Sequence, residues 1–176
     1  ITTSLTFSFT LNIFAINEEN EIPIYSADEI YNSSNGTWDL VEGVHYVLMN
    51  DIELENVVPI TTAIGGLDGN NRVISIKSFA VNPAESEFGL FGRIGTYTIQ
   101  DQETEENITK QTLLKNVIVD YSKFNGTIAL NNNTAENIVF GGLVANNNGG
   151  LIYNCDVINL NAATDVQVDV VVASNS

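Results

Sequence analysis

The chain has 176 residues, which is long enough for one domain with a substantial hydrophobic core. Its 22 acidic residues against 6 basic ones give a formal net charge of −16. This charge argues strongly against binding to nucleic acid or to an anionic membrane surface, and any charged partner is expected to be cationic. A simpler interpretation stays open, in which the acidic residues keep a β-rich surface soluble and limit edge pairing.

The chain lacks residues for several kinds of chemistry. Cys155 is its only cysteine and His45 its only histidine, which excludes an intramolecular disulfide and most metal or triad sites. No apolar run is long enough to span a bilayer, so we expect no membrane insertion. Because the chain begins without Met or a basic leader, we interpret it as a mature form or a piece of a longer protein.

Residues 4–13 alternate polar and apolar side chains without a break, which predicts a strand with one buried face. The acidic segment 18–21 and Pro23 follow, so we divide the chain into an N-terminal segment 1–21 and a domain 22–176. The strand is either an extra edge strand of its own domain or a strand donated to a neighbouring copy. The side chains that a donated strand would insert are Leu5, Phe7, Phe9, Leu11 and Ile13.

Residues 24–31 predict a short helix, with Ser26 at its N-cap and acidic residues in its first turn. Such a helix commonly covers the first rung of a β-stack. The rest of the chain predicts strands and turns, and the acidic segment 101–107, without Gly or Pro, predicts an exposed excursion. The predicted strands are residues 46–54, 72–81, 89–94, 113–120, 139–145, 151–160 and 166–172.

Three short segments share one pattern of apolar residues, and the spacing between successive copies is 38 residues both times. The copies are residues 76–81, 114–119 and 152–157. A fixed period of this kind predicts a stack of repeated coils. The alternation changes phase at Ser78, Asn116 and Asn154, which predicts corners whose side chains hydrogen-bond to the equivalent residue of the next coil. Ordinary turns that favour Asn are the alternative.

The chain resembles the GLUG-repeat surface proteins, relatives of the adhesin and IgA-protease β-solenoids. Two departures are the acidic insertion between Gly92 and Leu114 and Ala145 in place of a usual Gly. The resemblance implies an all-β, right-handed parallel β-helix in a secreted or surface-anchored protein, and it implies no catalytic residues. It rests on IYSADEI at 24–30, YVLMNDIEL at 46–54, Pro59-Ile60, LDGN at 67–70, GLFG at 89–92, GLV at 142–144 and residues 151–157.

Calcium is the one ion for which the sequence offers candidate ligands, because hard cations need several oxygens and little else. The candidates are Asp68, Asn70, Asp101 and Glu103. Neither segment has the spacing of a known calcium loop, so a turn residue at position 68 and a solvated acidic segment are the alternatives. No other cofactor is predicted.

Five Asn-X-Ser/Thr sequons fit a glycosylated extracellular protein, although an Asn-rich chain contains several by chance. The acceptors would be Asn32, Asn35, Asn107, Asn125 and Asn132.

The sequence therefore favours a non-enzymatic extracellular structural protein that assembles with copies of itself into a filament or sheath. A stack of few coils exposes a terminal rung, and the amphipathic end segments 4–13 and 165–172 could pair with such a rung. The first alternative is a cell-surface adhesin that binds glycan or protein. The second is a polysaccharide lyase or hydrolase using Asp51, Glu53 and Glu55, together with one of the few basic residues.

Overall fold

The computed structural model describes residues 21–80, 86–101, 104–125, 139–160, 168–169 and 172–175. This part of the chain is all-β, and its one helix is a 3₁₀ helix of three residues, Ala27–Glu29. No helix there is long and apolar enough to cross a membrane. The strands are β1 (Glu21–Ile24), β2 (Tyr31–Asn32), β3 (Thr37–Trp38), β4 (His45–Leu48), β5 (Ile52–Leu54), β6 (Gly66–Asp68), β7 (Val73–Ile76), β8 (Glu87–Phe88), β9 (Phe91–Gln100), β10 (Asn107–Gln111), β11 (Leu113–Lys115), β12 (Ile118–Asp120), β13 (Val139–Gly141), β14 (Val144–Asn148), β15 (Leu151–Tyr153), β16 (Asp156–Ile158), β17 (Val168–Asp169) and β18 (Val172–Asn175).

The chain adds strands to the same sheets in turn, and nearly all neighbours are parallel. The first sheet has the order β1-β4-β6-β11-β15 and the second the order β5-β7-β12-β16, each parallel throughout. Two further parallel runs are β8-β13-β17 and β9-β14-β18. The exceptions are β10, which pairs antiparallel with β9 in a long hairpin, and the short antiparallel hairpin β2–β3. Successive passes of the chain therefore lie in register, one above another.

The core lies between these sheets, where alternate side chains of each short strand point inward. Its fully buried members include Leu48, Leu54, Ile76, Leu114, Val117, Val119 and Leu143. An aromatic cluster of Phe79, Phe88, Tyr121, Phe124 and Phe140 fills one corner of this core, with ring centroids 5.8–6.4 Å apart. The Tyr121 hydroxyl donates a hydrogen bond of 2.6 Å to the Gly142 carbonyl, so its buried polar atom is satisfied.

The predicted amide corners are confirmed for Asn116 and Asn154. Both residues have a left-handed backbone, with φ of 54° and 50°, a conformation that Asn tolerates better than most residues. Asn154 Nδ2 donates to Asn116 Oδ1 at 2.7 Å, and Asn116 Nδ2 donates to Asp68 Oδ1 at 3.1 Å. A column of side-chain hydrogen bonds therefore joins three successive coils at one corner.

The predicted first copy of the repeat, residues 76–81, is wrong. Leu114 pairs with Leu67 on one side and with Ile152 on the other, so only the upper 38-residue spacing joins equivalent positions. Ile76 lies in β7 and pairs with Leu54. Ser78 likewise belongs to another corner, where its hydroxyl accepts the Asn56 N–H at 2.9 Å.

The predicted helix over residues 24–31 forms only the 3₁₀ turn Ala27–Glu29, and the chain then enters the hairpin β2–β3. The Glu29 carboxylate accepts the backbone N–H groups of Tyr25 at 2.6 Å and Ser26 at 3.4 Å, as expected for an acidic residue in a first turn. The long predicted strands are also shorter than expected. Residues 46–54, for example, divide into β4 and β5 around a corner.

Candidate assembly edge

Strands β15 and β16 are the outermost strands of their sheets in the described part of the chain. The Leu151 N–H donates to the Thr112 carbonyl at 2.8 Å, and the Tyr153 carbonyl accepts the Asn116 N–H at 3.1 Å. In a parallel ladder the backbone groups of alternate residues point to opposite sides. The N–H and C=O groups of Ile152, between these two residues, therefore point away from the stack.

The same alternation holds in β16. The Asp156 N–H donates to the Val117 carbonyl at 2.9 Å, and the Ile158 carbonyl accepts the Tyr121 N–H at 3.1 Å. The backbone groups of Val157 therefore point outward. Together, β15 and β16 present backbone donors and acceptors on the open side of the last described rung.

Apolar side chains accompany these backbone groups. Ile152 and Val157 are only partly buried, whereas their partners one coil below, Leu114 and Val119, are 0% exposed. Large apolar side chains nearby are exposed as well: Leu151 at 49%, Tyr153 at 70% and Ile158 at 41%. We call β15 and β16 with these side chains the open rung. An edge with unpaired backbone groups and apolar side chains is a template for a further strand.

Cys155 lies in the open rung, between β15 and β16, and is partly buried. Its thiol contacts the Tyr153 carbonyl at 3.3 Å and the Leu114 carbonyl at 3.6 Å. Burial raises the pKa of this thiol, with a further contribution from the carboxylates of Asp156 and Asp68. A raised pKa reduces the thiolate fraction, so the side chain is a poor nucleophile.

Asp68, the main calcium candidate, is used by the fold. Its Oδ1 accepts the Asn70 N–H at 2.8 Å and Asn116 Nδ2 at 3.1 Å, and its Oδ2 lies 3.1 Å from Lys115 Nζ. Burial raises the pKa of Asp68, but these hydrogen bonds and the Lys115 charge outweigh it and hold the pKa below its ordinary value. The Asp68 carboxylate is therefore ionised, and the Lys115 ammonium group balances its charge.

The remaining calcium candidates do not form a shared site with Asp68. Asn70 turns its amide away to donate to the Leu48 carbonyl at 3.1 Å. Asp101 begins the tip of the β9–β10 hairpin, where its Oδ1 accepts the Thr104 N–H at 2.8 Å. Glu103 lies outside the described residues. Among the residues that the structure describes, no three His, Cys, Asp or Glu side chains are grouped as metal ligands.

His45 lies on the outer face of the first sheet and is the one side chain there whose ordinary pKa is near neutral pH. Its ring lies against Gly65 and Gly66, since a Cβ on Gly65 would be 2.7 Å from His45 Cδ2. Burial lowers the pKa of His45; Lys110 and Lys115 act in the same direction and Glu21 acts against them. The imidazole is therefore neutral at pH 7.

The acidic residues considered for an enzyme, Asp51, Glu53 and Glu55, are exposed on the surface, and Glu53 is bound in ion pairs. Ile52 and Leu54 of β5 are buried, and Glu53 between them is exposed. The Glu53 carboxylate pairs with Lys77 Nζ at 2.6 Å and also contacts Lys123. Asp51 is exposed, and its Oδ1 accepts the Val73 N–H at 2.9 Å.

Four predicted glycosylation acceptors are exposed: Asn32, Asn35, Asn107 and Asn125. The fifth, Asn132, lies outside the described residues. The same holds for the predicted assembly strand with Leu5, Phe7, Phe9, Leu11 and Ile13. The acidic excursion lies between β9 and β10 in the chain, and its described residues 104–107 are exposed as expected.

Comparison with known proteins gives no match to a family model, to a curated protein or to a solved structure. The resemblance to GLUG repeats stays a prediction that rests on the residues alone.

Proposed function

We propose that this chain is a structural protein of the cell surface or extracellular space, built as a right-handed β-solenoid, that assembles with copies of itself through the open rung. The observation that carries this proposal is the contrast between the open rung and the coil below it. Positions that are completely buried at Leu114 and Val119 are partly exposed at Ile152 and Val157. A further strand on this rung would bury these side chains and pair the outward backbone groups.

The N-terminal segment 1–21 has the composition of a strand that fits such an edge. Its apolar residues alternate over positions 4–13, so all five apolar side chains would lie on one face. Burying five side chains of this size stabilises a complex by on the order of 10 kcal/mol before the cost of ordering the segment.

Deletion of residues 1–16 tests this proposal. The purified full-length chain is expected to form filaments or large oligomers in negative-stain micrographs and light scattering. The truncated chain is expected to stay monomeric with an unchanged β-type circular dichroism spectrum. Filaments of the truncated chain at the same concentration would refute strand donation, and a full-length chain that stays monomeric at all concentrations would refute self-assembly.

Adhesion is the second candidate function, favoured by one observation. Tyr153, 70% exposed, lies beside the 49% exposed Leu151 on the outer face of the first sheet. Exposed aromatic rings stack on sugars and dominate many protein interfaces. On a glycan array, Tyr153→Ala would lose any bound glycan class, whereas Tyr25→Ala, at a 53% exposed ring at the other edge of that sheet, would retain it.

A further inference from the structure

We infer that assembly is polar: the open rung is the only acceptor among the described rungs, and its occupant is residues 4–13 of a second copy. The first coil of a second copy is not the occupant, because the structure closes that end of the stack. This inference rests on the proposed function and specifies its partner. Two features of the first coil carry it.

The first feature is Pro23 in β1, the outermost strand at the N-terminal edge of the first sheet. The Ile24 carbonyl accepts the Met49 N–H at 2.8 Å, so the backbone groups of Ile24 point into the stack. By alternation, the backbone groups of Glu21 and Pro23 point away from the stack, at its N-terminal end. Proline has no N–H, so this edge lacks a donor where a stacked strand would need one.

The second feature is the hairpin β2–β3, which covers the corner after β5. The Val57 N–H donates to the Ser78 carbonyl at 2.9 Å in the next coil, so Val58 faces the N-terminal side. There the Tyr31 hydroxyl accepts the Val58 N–H at 3.1 Å, and Trp38 Nε1 donates to the Val58 carbonyl at 2.6 Å. Tyr31 and Trp38 thus hydrogen-bond to the Val58 backbone groups with which a stacked coil would otherwise pair.

β1, which follows the N-terminal segment in the chain, and β15 of the open rung lie at opposite ends of the first sheet. They are separated by four strand spacings, roughly 19 Å at about 4.8 Å each. To bind the open rung of its own copy, the N-terminal segment would have to run this distance along the outside of the stack. In a head-to-tail arrangement of copies, the N-terminal segment of one copy starts beside the open rung of the next. Donation between copies avoids that path, so we take a second copy as the donor.

A pair of matched variants tests the polarity. Ile22 and Ile152 occupy the bottom and the top of one column, Ile22-Tyr46-Leu67-Leu114-Ile152. Ile152→Lys introduces a charge on the open rung, a common way of blocking strand addition. Ile22→Lys, at a residue that is 47% exposed, places the same charge at the N-terminal end. We expect Ile152→Lys to raise the critical concentration for assembly by about tenfold or more and Ile22→Lys to change it by less than about twofold.

Thermal unfolding of each variant establishes that it is folded, and Ile158→Lys, at an exposed residue of β16, provides a second variant if Ile152→Lys is not. A synthetic peptide of residues 1–16 added to the full chain is expected to occupy open rungs and shorten the filaments, and the peptide with Phe7→Asp is not. Equal effects of Ile22→Lys and Ile152→Lys would overturn polarity while leaving self-assembly intact. Normal assembly of both folded open-rung variants would overturn the acceptor assignment. A wild-type chain without filaments, whose Ile152 amide is protected from hydrogen exchange, would show closure on its own rung.

Discussion

Replacement of Asn116 tests the corner column that joins three coils. Asn116→Ala removes the hydrogen bond to Asp68 Oδ1 at 3.1 Å, a bond to a charged group that stabilises by about 1.5 kcal/mol. It also removes the exposed bond from Asn154 at 2.7 Å, which contributes about 0.5 kcal/mol. Alanine in a left-handed backbone with φ of 54° costs about 1 kcal/mol more. We expect a total loss of about 3 kcal/mol.

The assay is urea denaturation followed by circular dichroism, with a thermal scan in parallel. For a chain of this length, a loss of about 3 kcal/mol lowers Tm by roughly 6–12 °C. Asn116→Gly separates the contributions, because it loses both hydrogen bonds but keeps the left-handed backbone at low cost. It is expected to be about 1 kcal/mol more stable than Asn116→Ala.

Asn107→Ala, at the exposed start of β10, is the matched control and should change stability by less than about 0.5 kcal/mol. The reasoning is refuted if Asn116→Ala falls within that same range. If Asn116→Gly is as destabilised as Asn116→Ala, the backbone contribution is refuted and the hydrogen bonds alone remain.

Three further predictions concern other parts of the molecule. Tyr31→Phe removes the acceptor of the Val58 N–H and should cost about 1–2 kcal/mol in urea denaturation, whereas Tyr25→Phe at an exposed ring should cost nothing measurable. Because the pKa of His45 is lowered in the folded state, its contribution to stability is present above the ordinary pKa of 6.5 and is lost as the pH falls through the folded value. Stability should therefore fall between pH 7 and pH 5, and His45→Gln should flatten this dependence; an identical slope in the variant would contradict it. Iodoacetamide should modify Cys155 more slowly in the folded monomer than in urea, and about tenfold more slowly again in the proposed filaments, as mass spectrometry of the alkylated protein would measure.

The sequence was sufficient to predict the all-β class and two of the corners. Asn116 and Asn154 interrupt the apolar alternation at the same point of two copies, and a left-handed backbone in both explains why Asn stands there. The exposure of the acidic segment was also predictable, since nothing in it is apolar enough to be buried.

The first copy of the repeat was not predictable, because its corner is longer. Leu67 aligns with Leu114 and Ile74 with Val119, so the corner between β6 and β7 holds two more residues than the corner above it. The left-handed Asn70 and Asn71 take up the extra length. Residues 76–81 matched the pattern only because strands of neighbouring sheets share the same alternation.

The open rung could be anticipated as a consequence of stacking, but its location could not. Edge status depends on which strands pair, and Ile152 and Leu114 have the same local pattern. At the N-terminal end of the stack, Pro23 was the one residue that indicated an edge strand, since proline within a strand pattern marks an edge. The roles of Tyr31 and Trp38 gave no signal, because their partners lie 20 to 27 residues away in the chain.

The unequal ends also determine where the molecule opens first. In a stack where each coil contacts only its neighbours, opening proceeds by fraying from the less protected end. Amide hydrogens of β16 and β15 should then exchange with solvent before those of β12 and β11, and the amides of β6 and β7 should exchange more slowly again. Proteolytic degradation would follow the same order, starting at the end where the next copy is proposed to bind, so that each added copy would protect the one before it.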